Sequence, residues 1–218
     1  MADAASRPVL WCHRESGHSY KVALALALIG VDCELRPVDL NLPRDQRPHG
    51  FQSASRFGEV PALEIGGLAV VQSNVILDVL ARRYGRLDGA DLGSQVRVRE
   101  WLAWEANRLA MSFPHLRYSR CFTRADAALE AWWKQRMHAD FDRLDAELSG
   151  RPFLVGDSPT IADVSCCGYL WWTNQADVDL APWPSIQAWL ERIASLPGWR
   201  APYDLMPDSA PIRTGTRT

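Results

Sequence analysis

The sequence contains no apolar run of the ~18 residues that a membrane-spanning helix needs, no excess of basic charge and no Cys-x-x-Cys pair. Each absence removes a class of function. A formal net charge of -2 offers nothing with which to neutralise phosphates or an anionic bilayer, so neither nucleic acid nor a membrane surface is expected as a partner. The first seven residues lack the cationic start and apolar stretch of a secretory signal, and a cytoplasmic location is expected. The five cysteines, Cys12, Cys33, Cys121, Cys166 and Cys167, show neither redox-motif spacing nor a paired Cys/His ligand pattern. Reduced thiols and no metal are the expectation.

What the sequence does contain is apolar mass. Its 218 residues are 47% hydrophobic, enough to bury the cores of two modest domains. Ten tryptophans include Trp101 with Trp104 and the adjacent pairs Trp132-Trp133 and Trp171-Trp172. Such rings fill helix interfaces or a dimer contact, or else line an aromatic pocket.

Val9 to Cys12 is a short apolar run closed by the polar cluster His13 to Ser16, and Tyr20 to Ile29 is apolar on nearly every face. This reads as strand, loop and buried helix, with Gly30 as the stop. Cys33 to Val38 reads as a second strand, so the chain opens β-α-β with a right-handed crossover between parallel strands. Asn41 to Gly58, rich in Pro, Arg and Gly, is expected to be irregular, with room for one short helix. Ala62 to Ile65 and Leu68 to Val71 flank Gly66-Gly67, the signature of a tight hairpin, and Ser73 opens a helix running to Tyr84. Residues 8–85 therefore form an α/β unit, βαβ-ββα. Beyond the Gly- and Asp-rich stretch from Arg86 to Gly93 no strand pattern recurs. Helices are expected over Gln95–Met111, Ala125–Leu148, Thr160–Trp172 and Ser185–Leu196, so that 93–203 is an all-helical domain. The polar segment Pro207–Thr218 is expected to be a mobile tail.

Three features of the first domain carry chemistry. The loop from Cys12 to Ser19 leads into the N-terminus of a buried helix, where free N–H groups and partial positive charge stabilise a thiolate. Ser16 adds a hydroxyl donor. Lowering a thiol pKa by ~2 from its reference of about 8.5 takes roughly 2.7 kcal/mol, within reach of these effects together. Ser16 and Ser19 can equally act as plain helix caps. In Gly58-Glu59-Val60-Pro61-Ala62 a proline stands at the entry to a strand, and a cis bond there would turn Val60 so that its N–H and C=O face an extended peptide. In Gln72-Ser73-Asn74 a strand runs into a helix that begins with a hydroxyl, a grip for a carboxylate, with Gln72 beside it to orient an amine; a simple cap at Ser73 is the alternative.

In this order and spacing the three features, with Lys21-Val22 in the first helix, resemble the glutathione transferase family. In the second domain Phe153-Leu154-Val155-Gly156-Asp157 followed by Pro159-Thr160-Ile161-Ala162-Asp163 resembles that family's capping box and staple. Thr160 is the cap, and Asp163 answers three residues later. The resemblance implies a thioredoxin-like N-terminal domain followed by a helical-bundle C-terminal domain, and a symmetric homodimer. It also implies a cis Val60-Pro61 bond, Val60 pairing with the cysteinyl backbone of glutathione, Ser73 holding the γ-glutamyl carboxylate and Gln72 the amine. Ser16, five residues before Lys21, is its catalytic hydroxyl, with Ser19 a rival.

The loop departs from cysteine-type members, since residues 13–19 contain no Cys, and only partly matches the Ser-Ser-Cys of maleylacetoacetate isomerases. Disulfide exchange and isomerisation are therefore not the expected chemistry. Glu59 stands where Lys or Gln often assists glutathione, and Asn-Pro is absent before Gly58; His49 or Arg56 is a candidate for the missing cation, the alternative being that both are merely solvated in a polar loop. The expected function is glutathione S-transfer, with glutathione as co-substrate and a small hydrophobic electrophile as acceptor. The acceptor pocket is expected to use His13 and His18 in the first loop and Asn107, Arg108, Met111 and Ser112 in the second domain. The alternative is a protein on the same fold that binds glutathione or a hydrophobic ligand without turnover, favoured by Glu59 and the absent Asn-Pro.

Overall fold

The computed structural model describes residues 7–213. Among them the chain forms two compact units, one running to Arg86 and resuming from Pro197 to Ile212, the other from Leu87 to Leu196. The first unit contains β1 (Val9–Cys12), α1 (Gly17–Ile29), β2 (Glu34–Pro37), α2 (His49–Ala54), β3 (Ala62–Ile65), β4 (Leu68–Val71) and α3 (Ser73–Tyr84). Its sheet has the order β2-β1-β3-β4, with β1 parallel to β2 and the other pairs antiparallel. This is the expected thioredoxin-like arrangement.

β1 is central because it is apolar on both faces: Leu10 and Cys12 are fully buried and Trp11 nearly so. The Trp11 indole still finds an acceptor, Glu64 Oε1 at 2.7 Å. α1 is apolar all round, and every residue from Ser19 to Leu26 is buried. It ends where Gly30 takes φ 84° and returns its N–H to Leu26 and Ala27. The β3–β4 turn places Gly66 at φ 56° and Gly67 at φ 78°, two positive values in succession that a side chain would resist. On the sheet, Phe51 and Ala54 of α2 pack with Trp11, Val38, Ala62 and Val71.

The second unit is all helical: α4 (Leu92–Asn107), α5 (Phe113–Cys121), α6 (Ala127–Leu148), α7 (Ile161–Cys167) and α8 (Pro184–Ala194). The helix expected over Gln95–Met111 breaks at Arg108 into a 3-10 turn, and α5 then starts with Pro114 in its first turn. The helix expected over Thr160–Trp172 stops at Cys167 and resumes as 3-10 turns from Leu170 to Ala176, with Trp172 off helical geometry. Trp172, Trp183 and Trp189 are buried among the helices. They serve as helix-interface filler.

Two expectations for the C-terminal part need correction. Pro197–Ile212 belongs with the first unit rather than the helical one, because the Tyr20 hydroxyl donates to the Arg200 carbonyl at 2.9 Å and α9 (Pro202–Leu205) packs on α1. Residues 209–211 are not a loose tail but hydrogen-bonded to the loop after β1 and to Asn41 beyond β2. Residues 214–218, the remainder of that expected tail, lie outside the described residues.

Asp163 organises the start of α7. Its carboxylate accepts from the Leu154 and Thr160 N–H groups at 2.9 Å, and from the Thr160 hydroxyl and Trp189 indole at 3.0 Å, while fully buried. Burial pushes its pKa up and the four donors hold it down. Asp163→Ala would leave three buried N–H donors without their acceptor, at about 1–3 kcal/mol each before relaxation. We expect a loss of ~3 kcal/mol or more, read as a lowered urea midpoint at unchanged slope.

Candidate functional site

β1 delivers the chain into a tight turn in which Ser16 N–H donates to the His13 carbonyl at 3.0 Å. Ser16 then caps α1, its Oγ accepting from Ser19 N–H at 3.1 Å. That bond uses an oxygen lone pair and leaves the hydroxyl hydrogen free to donate outward. Ser19 differs: it is fully buried, and its Oγ accepts from His13 N–H at 3.3 Å. The geometry separates the two serines, with Ser16 half-exposed at the helix entrance and Ser19 turned into the loop's own backbone.

The second wall comes from the end of α2. Ser55 is buried, and its Oγ both donates to the Glu59 carbonyl at 2.8 Å and accepts from Glu59 N–H at 3.0 Å. Arg47 donates to the carbonyls of Leu40, Leu42 and Gly58, pinning the irregular stretch that leads to this point. Neither residue was marked by a sequence motif. The Val60-Pro61 bond is cis, and Val60 precedes the β3–β4 ladder, whose first pair is Ala62 with Val71.

The third wall is the β4–α3 junction. Gln72 sits at φ 69°, ψ 112°, a left-handed conformation that costs a non-glycine residue on the order of 1–3 kcal/mol and persists only where flanking structure demands it. Here Val71 is held in the sheet and Ser73 begins a helix, so the corner falls on Gln72. Its side chain reaches Glu59 Oε2 at 3.4 Å, which gives that carboxylate a donor. Ser73 Oγ lies 3.4 Å from His18 Nδ1. Together Val60, Pro61, Gln72, Ser73, Glu59 and His18 line a cavity of about 130 Å³.

Two helix N-termini thus meet at one place. α1 and α3 are tied by the His18–Ser73 contact and by Lys21 Nζ, which donates to Asn74 Oδ1 at 2.8 Å from a side chain only 1% exposed. Anionic groups of one ligand can be held at both ends.

The other sequence candidates fall elsewhere. His18 lines the cavity beside Ser73 and not a separate acceptor pocket. His13 is 1% exposed with both ring nitrogens engaged, by Glu15 N–H at 3.2 Å and the Ala210 carbonyl at 3.0 Å, so it has no polar atom to offer an acceptor. His49 opens α2, exposed, outside the cavity lining; Arg56 stacks over Phe57 at 4.7 Å. Two arginine side chains stand at Gly58, Arg47 donating to its carbonyl and Arg44 packed against the residue, and neither lines the cavity. In the helical unit Arg108 pairs with the buried Asp140 at 2.9 Å and Ser112 donates to the same carboxylate at 2.7 Å. Asn107 and Met111 keep exposed side chains.

Cys12 is fully buried on β1, and burial raises its thiol pKa to about 12, the opposite of an activated nucleophile. Among the described residues no three His, Cys, Asp or Glu side chains group so as to hold a metal ion, and no helix is long and apolar enough to cross a membrane.

Residues 8–82 match the glutathione S-transferase N-terminal domain and residues 112–192 the glutathione S-transferase C-terminal domain. A maleylpyruvate isomerase from Ralstonia sp is 31% identical over 209 residues, spanning 89% of this chain and 96% of its own length. The maleylacetoacetate isomerase of Mus musculus is 29% identical, over 84% of this chain and 85% of its own. The disulfide-bond oxidoreductase YfcG of Escherichia coli is also 29% identical, over 83% and 87%. Among solved structures, a possible glutathione S-transferase from Rhodopseudomonas palustris superposes with a TM-score of 0.80 at 29% identity, covering 93% of this chain and 100% of that one. With both domain signatures in sequence and the two-unit architecture that carries them, the chain belongs to the glutathione S-transferase family.

Proposed function

We propose that the protein binds glutathione, stabilises its thiolate and adds the glutathionyl group through sulfur to a small hydrophobic electrophile. The observation that carries this reading is the convergence of two helix N-termini, at Ser16 and at Ser73, beside the cis Val60-Pro61 edge. Ser73 and the first N–H groups of α3 suit the γ-glutamyl carboxylate, and Gln72 with Glu59 suits the adjacent ammonium. Val60 offers main-chain groups to the cysteinyl residue in the manner of an added strand. The sulfur then comes to the start of α1, where the free hydrogen of the Ser16 hydroxyl and the helix dipole stabilise the thiolate that attacks the acceptor.

Ser16→Ala tests the catalytic part. In the wild type the thiol of bound glutathione is expected to ionise about 2 pKa units below its reference of ~8.5, and in the variant within about half a unit of it. Thiolate absorbance titrated against pH measures both. A wild-type value near that of free glutathione would leave only the second reading, a glutathione-binding protein without turnover, which Glu59 at the pocket rim favours.

Ser73→Ala should act on affinity rather than ionisation. Loss of one hydrogen bond to a carboxylate costs about 1.5–3 kcal/mol, so glutathione should bind roughly 10- to 100-fold more weakly by calorimetry while the thiol pKa of the bound fraction stays in place. The acceptor is to be found by assay with halides, epoxides and enones, and with maleylpyruvate and maleylacetoacetate, after the names of the relatives. A symmetric homodimer belongs to the same proposal: light scattering at micromolar concentration should give about twice the 24.5 kDa chain mass, and a monomeric mass would contradict it.

A further inference from the structure

The loop that carries Ser16 is bound by the far end of the chain. Tyr203 of α9 donates to Glu15 Oε2 at 2.9 Å, and its ring lies 4.8 Å from the Arg14 guanidinium. After α9 the chain runs back along the loop. Asp208 pairs with Arg14, Ser209 Oγ accepts from Arg14 N–H at 3.2 Å, and the Pro211 carbonyl accepts from Asn41 Nδ2 at 3.0 Å. At the centre of this strap is His13. Its Nδ1 accepts from Glu15 N–H at 3.2 Å, so the ring proton is on Nε2, which donates to the Ala210 carbonyl at 3.0 Å. The backbone of the same residue faces the other way: its carbonyl takes the Ser16 N–H and its N–H donates to Ser19 Oγ.

Only the neutral imidazole in this one tautomer satisfies both neighbours. A second proton would place a donor at Nδ1 against the Glu15 N–H, inside a site that is 1% exposed. We infer that His13 is a positioning residue for Ser16, and that its neutral ring holds the strap 208–211 on the loop, so that acidification releases the strap and loosens the Ser16 turn.

The groups facing His13 bear on its titration in opposite directions. Glu15 in its own loop and Asp39 beyond β2 favour the imidazolium, as does the Ala210 carbonyl; Arg14 opposes it, with Asp208 of the strap engaged by that arginine. Burial is the largest influence and lowers the pKa below 6.5. The unfolded chain therefore takes up its proton near 6.5 and the folded chain only at lower pH. The contribution of His13 to stability is complete above the unfolded value and is lost as pH falls through it towards the folded one.

Amide-resolved hydrogen exchange on the full chain tests the inference without glutathione. Between pH 7.5 and 5.0, after correction for intrinsic rates, protection of the Glu15, Ser16 and Ser19 amides and of the strap should fall at least tenfold in the wild type. The Ser19 amide reports directly on Ser16 Oγ, its acceptor. His13→Gln presents one donor and one acceptor but does not titrate, and should keep the same protection at both pH values. Protection that is independent of pH in the wild type, or that falls as steeply in His13→Gln, would overturn the proposal. Should His13→Gln not fold, the wild-type imidazole resonance decides: loop protection must fall with pH between the unfolded value near 6.5 and the observed His13 midpoint and level off below that midpoint, and protection that is flat over this interval overturns the proposal. The role assigned to Ser16 rests on the proposed function, but the two fail separately. An unshifted thiol pKa removes the transferase reading and leaves the strap, whereas pH-independent exchange does the reverse.

Discussion

The candidate site depends on a buried positive charge. Lys21 lies in the second turn of α1 with its side chain almost fully out of solvent, and its ammonium donates to Asn74 in the first turn of α3. A cation in such a place is tolerable only when polar partners replace its water, and those partners must then stay where they are. The result is that two helices which begin at different ends of the sheet's connectivity open side by side. β1 feeds one and β4 feeds the other, and the ion holds their starts in register.

Around that tie each local constraint has a physical cause. The strained Gln72 corner exists because a paired strand and a helix must join with no spare residue between them. Ser55 grips both main-chain groups of Glu59, and Arg47 gathers three carbonyls of an otherwise irregular stretch, so the edge ending at Val60 is rigid although it lies outside the sheet. The Ser16 turn is fastened by Ser19 on one side and by His13 on the other. Rigid placement of donors is what a site needs if it is to stabilise developing charge without reorganising.

The start of α1 carries no cysteine of its own, and the nearest one, Cys12, is buried on β1 with its thiol raised to about 12, so the reacting thiol of this site has to come from a ligand. Relatives named as isomerases and as a disulfide-bond oxidoreductase share the architecture, which leaves the loop after β1 and the acceptor-contacting residues to decide the reaction.

The sequence by itself determined whatever has a local cause. β1, β3, β4 and α3 run over the residues expected, because Gly66-Gly67, Ser73 and short apolar runs act over a few positions. The Thr160–Asp163 box and the Ser16 cap are legible for the same reason. Only the tertiary structure decided what depends on residues distant in the chain: that Ser19 and His13 are spent on the loop and its neighbours, that Arg108 and Ser112 bond to Asp140, and that Arg44 and Arg47 stand at Gly58. The strap is the extreme case. Pro, Ser and Asp in 207–211 have the composition of a free tail, and nothing local distinguishes a polar segment left in water from one whose partners, His13, Arg14 and Asn41, stand some 170 to 200 positions earlier.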